Sequence, residues 1–139
     1  MMQSKYSTLL LWGVLAVAFM AVVSCMRPKP EEMIVGTWKV DTIISEIFDQ
    51  EQKELIEQAL NVQKQVYFIV SDNGQMDIVS PVGARSANWV MDNDSLILKA
   101  TFIDTKQESQ IKFEEISEEV LILKEESKLG KFTTKYIKR

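Results

Sequence analysis

The side chains that most often carry enzyme chemistry are scarce in this chain of 139 residues. It has no histidine and a single cysteine, Cys25. Without histidine, the commonest general base and metal ligand is missing, and a Ser-His-Asp triad cannot form. Adjacent carboxylates occur at 114–115, 118–119 and 125–126. Neighbours in a strand point to opposite faces, so we interpret these pairs as solvated. We therefore expect no enzyme, no catalytic residue, no metal site and no cofactor.

Cys25 follows an apolar run, Leu9 to Val23, that is preceded by a polar start containing Lys5. A basic start, an apolar segment of this length and small residues before a cleavage point are typical of a secretory signal peptide. Val22-Val23-Ser24-Cys25 resembles the lipobox of bacterial lipoproteins, in which a peptidase cuts before the cysteine and the new terminus is acylated. The resemblance implies a lipoprotein signal peptide over residues 1–24 and lipidation of Cys25.

Two other interpretations of the apolar run stay open, an uncleaved transmembrane anchor and an ordinary signal peptide with a chance cysteine. The run has 15 residues, fewer than the roughly 20 that a spanning helix needs. Met26 follows the cysteine in place of the Asp associated with inner-membrane retention in enteric bacteria, which favours the outer membrane. We expect a cell-envelope protein whose lipidated tether covers residues 25–33 and whose first partner is the membrane.

The charge balance argues against another class of partner. The chain carries 16 basic and 20 acidic residues, a formal net charge of −4. Nucleic-acid binding depends on clustered Lys and Arg that neutralise phosphates, so we expect no nucleic-acid partner. If Cys25 is lipidated, no thiol remains for a disulfide, and the domain must rely on an apolar core.

The remaining residues, 34–139, have the pattern of one mainly β domain. Trp38 and the β-branched residues after it favour a first strand. Phe48, Leu55, Ala59 and Val62 then lie on one helical face, widened by Ile56 and Leu60, and predict a helix over about residues 50–64. After Gln65, apolar residues alternate with polar ones and turns follow about every ten residues, which predicts seven more strands. Short connections favour an antiparallel, up-and-down order.

Two motifs resemble a known family. Gly36-Thr37-Trp38 opens the first strand, and Trp89-Val90-Met91-Asp92-Asn93-Asp94-Ser95-Leu96-Ile97-Leu98 forms a later hairpin. Together with the lipobox, this layout resembles the lipocalin-like lipoproteins of Bacteroidota. The expected fold is an eight-stranded antiparallel, up-and-down lipocalin-like barrel with one α-helix between strands 1 and 2, where typical lipocalins have a loop. The resemblance implies that Trp38 packs under the closed end of this barrel. It also implies that a basic residue, Lys138 or Arg139, stacks on that Trp.

A barrel of eight strands is large enough to hold one small ligand. The apolar inward candidates are Phe68, Met76, Trp89, Leu98, Phe113 and Tyr136, and Thr134 and Tyr136 supply polar groups. We therefore predict a site for a small apolar or amphiphilic molecule. The same side chains are also suited to fill the barrel as core. In that case the domain would instead be an interaction or inhibitor module for another envelope protein.

Overall fold

A computed structural model describes residues 28–139, so the predicted signal peptide and Cys25 lie outside the described part. The helices are α1 (Pro30–Met33) and α2 (Lys53–Gln63), with a 3₁₀-helix at Gln50–Gln52 directly before α2. The strands are β1 (Gly36–Ile47), β2 (Tyr67–Val70), β3 (Gln75–Ser80), β4 (Gly83–Asp92), β5 (Ile97–Phe102), β6 (Glu108–Lys112), β7 (Glu115–Ile116), β8 (Val120–Glu126) and β9 (Gly130–Lys138).

All nine strands form one antiparallel sheet in the order β6-β5-β4-β3-β2-β1-β9-β8-β7. Alternation decides which face of each strand is buried: in β5, Leu98 and Ala100 are buried whereas Lys99 between them is exposed. The buried residues of the different strands meet in one apolar cluster. The sheet therefore curls around its own apolar face, which is concave, and forms a half-barrel.

The register defines two different ends of this half-barrel. Gly36 lies beside Val70, and the β2–β3 and β4–β5 turns lie at the same end. We call this the closed end, because α1 lies there and Ile34 is completely buried. At the opposite, open end, β1 runs beyond β2 and pairs only with β9, up to the Ile47–Gly130 pair. A register shift between Val40 and Thr42 marks where this extension starts.

The two edges of the sheet approach each other only near the closed end. β6 and β7 are separated by two residues, Phe113 and Glu114. The N–H of Phe113 donates to Leu96 O (2.9 Å), beside β5, and the N–H of Glu114 donates to Ile122 O (2.8 Å), in β8. Toward the open end, β6 and β8 are not paired with each other within residues 28–139. The predicted closed barrel is therefore a half-barrel with a gap in its wall.

The mainly β prediction is confirmed, with differences in detail. Nine strands replace the predicted eight, because the chain bends at Glu114 and the pair Glu115–Ile116 bonds to β8 as a separate short strand. The helix between β1 and β2 starts at Lys53, after a 3₁₀-helix in which the N–H of Glu51 donates to the Asp49 carboxylate. A second short helix, α1, lies in the segment that was predicted to be tether.

The centre of the predicted apolar face of the helix is exposed, and the helix contacts the sheet through the predicted margin of that face, Ile56 and Leu60. Leu55 is 66% exposed and Val62 is 53% exposed, whereas Ile56 is buried. Leu60 and Gln63, one and two turns further along the Ile56 side, are half-buried. The chain has apolar residues on both sides of α2, so periodicity alone could not decide which side faces the sheet.

Candidate functional site

The closed end is built around the Gly-x-Trp motif. Trp38 has no exposed surface, and its indole N–H donates to Ile34 O at 2.7 Å. The ammonium of Lys138 lies 5.1 Å from the centre of the Trp38 ring and donates to Met33 O at 2.9 Å. Trp38 therefore joins α1, β1 and the end of β9, and Lys138 is the basic residue that covers it.

Gly36 is required for this arrangement. Its φ of 143° is one that residues with a side chain rarely adopt, and an added Cβ would lie 3.1 Å from the Lys138 side chain. The absence of a side chain lets the aliphatic part of Lys138 cross the start of β1 and reach the indole. The motif residues Gly36 and Trp38 thus have a structural role at the closed end.

Four of the predicted ligand residues, Leu98, Phe113, Thr134 and Tyr136, are buried and face the concave side. Phe68 is half-buried and packs edge-on against Tyr136, with ring centres 5.1 Å apart and planes at 68°. Leu98 and Phe113 belong to the packed core with Trp38. On β2, Phe68 lies directly opposite Trp38. On β9, Tyr136 and Thr134 lie opposite Val40 and Ile43, successively closer to the open end.

Trp89 does not join this group. Its indole N–H donates to Ser71 O (3.0 Å) and Gln75 O (3.1 Å), which fixes the ring at the β2–β3 turn. It lines a surface cavity of about 400 Å³ at the closed end, together with Glu31, Glu32, Val35 and Asp72. Trp89 shares its face with Ala87 and Met91 and packs against the apolar core, but the hydrogen bonds of its indole keep the ring at the closed end.

Thr134 and Tyr136 place hydroxyl groups inside the apolar concave face. Thr134 is 2% exposed and Tyr136 is 8% exposed. Burial raises the pKa of the Tyr136 phenol, while the Gln63 amide of α2 favours the ionised form and opposes the rise. α2 contacts β1, and Gln63 in its last turn lies on the side of Tyr136.

Arg85 is a residue of the concave side that the sequence analysis missed. It is paired with Ile78 across β3 and β4, and residues directly opposite each other share a face. Its guanidinium carbon lies 3.8 Å from the centre of the Phe102 ring, and one of its nitrogens lies 3.1 Å from Asp104 Oδ1. This hydrogen bond lowers the pKa of the Asp104 carboxyl. Arg85 lies two residues before the buried Ala87 on the same strand, so the period of two could have predicted its position on the concave side.

The open end therefore combines four features on one concave surface. These are half-buried apolar side chains, two buried hydroxyl groups, a helix that contacts β1 and an arginine near the rim. Within residues 28–139, no three His, Cys, Asp or Glu residues are placed to hold a metal ion. A second surface cavity of about 370 Å³ lies on β8 and β9 at the open end. It is lined by Lys124, Glu125, Glu126, Lys131, Phe132 and Thr133. No helix in the described part is long and apolar enough to cross a membrane.

Comparisons with known proteins support the fold alone. No family model matches the chain, and no curated protein matches it. Among solved structures, the chain is similar to a DUF4847 family protein from Bacteroides vulgatus. The two are 15% identical, the match covers 77% of this chain and 94% of that one, and the TM-score is 0.50. At this identity the likeness concerns the course of the backbone, and it assigns no site residue.

Proposed function

We propose that this protein is a lipid-anchored protein of the cell envelope that binds a small amphiphilic molecule between the concave face of the half-barrel and α2. The observation that carries the proposal is the pair of buried hydroxyl groups, Thr134 and Tyr136, on an otherwise apolar concave face. Ligand sites usually combine an apolar lining with a few polar groups that fix orientation.

The contacts of α2 support the same proposal. Of its apolar residues only Ile56 is fully buried, so the helix is held to the sheet by a small area. A helix held so lightly can move aside at little cost, because few buried contacts are lost. The ligand's chain would lie beside Phe68 and Leu123, and its polar group near Tyr136 and Gln63.

Binding is tested by native mass spectrometry of residues 28–139 with a saturated fatty acid of 16 carbons. We expect one molecule bound per chain, and weaker binding by the Tyr136→Phe variant. The matched control is Tyr67→Phe, because Tyr67 is the neighbour of Phe68 on β2 and points to the other face. No bound fatty acid, or equal effects of the two variants, would contradict the proposed site.

Anchoring has a separate test, since it rests on the lipobox and not on the half-barrel. Cys25→Ala should abolish labelling of the protein by radioactive fatty acid and should release it from membranes. Retention of the label in this variant would exclude Cys25 as the acylated residue.

A second candidate function is interaction with another envelope protein. It is favoured by four exposed apolar side chains in the segment that runs from the extension of β1 through the following loop to α2, namely Ile44, Phe48, Leu55 and Val62. Exposed apolar residues that share one region are typical of interaction surfaces. The double variant Leu55→Asp/Val62→Asp distinguishes the two functions. It should abolish capture of a protein partner, and it should leave fatty-acid binding on the concave side unchanged.

A further inference from the structure

β6 (Glu108–Lys112) is the outermost strand on one side of the sheet. It pairs with β5 along one edge, and no strand of residues 28–139 pairs with its other edge. The N–H of Phe113 points to β5, where it donates to Leu96 O. Because backbone N–H groups alternate in direction along a strand, those of residues 108, 110 and 112 point to the outer edge. The edge therefore carries a row of outward donors and acceptors.

The side chains of the same three residues make this edge complementary to itself. Glu108, Gln110 and Lys112 are exposed, whereas Ser109 and Ile111 between them are half-buried. The strand thus has an acidic residue at one end, a basic residue at the other and an amide in the middle. An antiparallel copy of the strand, centred on Gln110, would present its charges in the reverse order.

We propose that β6 pairs with β6 of a second copy of this chain, around a two-fold axis at Gln110. Glu108 then lies opposite Lys112 of the second copy, and Lys112 lies opposite its Glu108. Gln110 lies opposite Gln110, and its side-chain amide can both donate and accept. The three pairs are the hydrogen-bonded pairs of an antiparallel ladder, because the N–H groups of these residues are the ones that point outward. A centre at Ser109 or Ile111 would also pair outward donors, but it would place Glu108 or Lys112 opposite Gln110, so only the centre at Gln110 joins the opposite charges.

The other edge of the sheet lacks these properties. β8 ends in three successive charged residues, Lys124, Glu125 and Glu126, and β7 covers its other end. Dense charge and a short covering strand are the usual protections of an edge against pairing. β6 carries two charges of opposite sign at the spacing that suits a second copy, so its edge favours one specific partner.

The pairing is compatible with the proposed anchor, although it does not depend on it. A two-fold axis between antiparallel strands makes the two half-barrels point in opposite directions. If the axis is normal to the membrane, both half-barrels lie along the surface and both chains can reach the same bilayer. Confinement to a membrane would raise the effective concentration of the two copies and promote a weak pairing.

The test is disulfide cross-linking of the full chain, oxidised in detergent and analysed without reductant. In Gln110→Cys, the two new thiols should form a covalent dimer, since hydrogen-bonded pairs have Cα atoms about 5.5 Å apart, within the range for disulfides. Lys99→Cys is the matched control, because Lys99 is exposed and lies beside Gln110 on β5. Its two copies would be about 14 Å apart, three strand spacings, and should not cross-link. The chain with Cys25 alone sets the background.

Charge reversal in the Gln110→Cys chain then tests the register. Glu108→Lys and Lys112→Glu should each lower the rate of cross-linking by about tenfold, because two attractive pairs become repulsive. The double variant Glu108→Lys/Lys112→Glu should restore it, and this rescue also shows that the exposed substitutions do not unfold the chain. A Gln110→Cys chain that cross-links no faster than the Lys99→Cys control would overturn the proposal. So would cross-linking that ignores the charge reversals.

Discussion

The two ends of the half-barrel differ in how completely they are packed. At the closed end, Trp38 is fully buried, its one polar atom is hydrogen-bonded and Lys138 covers the ring. At the open end, β1 extends beyond its β2 partner, α2 buries little more than Ile56, and several large apolar residues are exposed. Well-packed regions stabilise a fold, and regions with few buried contacts are the ones that can open to a ligand. The difference indicates that the closed end stabilises the fold, and it supports the proposal that the open end binds the ligand.

The largest expected effect is at Trp38. Trp38→Ala should lower the free energy of unfolding by about 3–5 kcal/mol, because it leaves a cavity where α1, β1 and β9 meet. Phe48→Ala, a large aromatic truncation at the exposed open end, should cost less than about 1 kcal/mol. Urea unfolding followed by circular dichroism measures both. Equal losses would contradict the assignment of stability to the closed end.

The next effect sharpens the comparison within α2. Ile56→Ala should lower the free energy of unfolding by about 2 kcal/mol, whereas Leu55→Ala, one residue away on the exposed side, should change it by less than about 0.5 kcal/mol. The same urea titration measures the pair. A larger loss for Leu55→Ala would mean that the other face of the helix contacts the sheet.

A comparison of Gly36 with Gly83 distinguishes the cost of backbone strain from the cost of the contact with Lys138. Both have a φ of 143°, but only Gly36 has a neighbour, Lys138, where a Cβ would lie. Each substitution by Ala should cost about 1–3 kcal/mol for the backbone conformation. Gly36→Ala should cost about 1 kcal/mol more, because the Lys138 side chain must move. If thermal unfolding gives equal losses for the two variants, the contact with Lys138 contributes nothing.

The smallest effect is the pH dependence that comes from Tyr136. Burial raises the pKa of this phenol in the folded chain. The folded state therefore holds the proton more tightly, so the stabilisation is fully present below about pH 10, the pKa of an unfolded tyrosine. It is lost as the pH rises through the folded pKa. Urea unfolding between pH 8 and 11 should show a steeper loss for the parent chain than for Tyr136→Phe, and parallel curves would contradict the burial of the hydroxyl.

The strands were predictable because their periods and turns are local signals. The alternation of Leu98, Lys99 and Ala100 identifies a half-buried strand without reference to the rest of the chain. The gap between β6 and β8 was not predictable, since it depends on a bend at Glu114 that sends two N–H groups to different strands. Eight segments with a period of two predicted a closed barrel of eight strands. The ninth strand, β7, has only two residues and is too short to show a period.

The site was predictable in part for a similar reason. Tyr136 and Thr134 were found because they alternate with charged Lys135. Alternation also gave the face of Trp89, which packs against the core, but it did not give the hydrogen bonds to Ser71 and Gln75 that fix the ring at the closed end. The contribution of Gln63 and the concave position of Arg85 depend on how separate elements meet. No pattern within one element contains that information.

The central claim is that the open end binds and the closed end only stabilises. Nuclear magnetic resonance of isotope-labelled residues 28–139, titrated with the same fatty acid of 16 carbons, tests it most directly. The account predicts that the amide signals of Gln63, Thr134 and Tyr136 shift together and saturate, while those of Ile34 and Trp38 at the closed end do not move. Saturable shifts centred on Ile34 and Trp38, or no saturable shift at any residue, would contradict it.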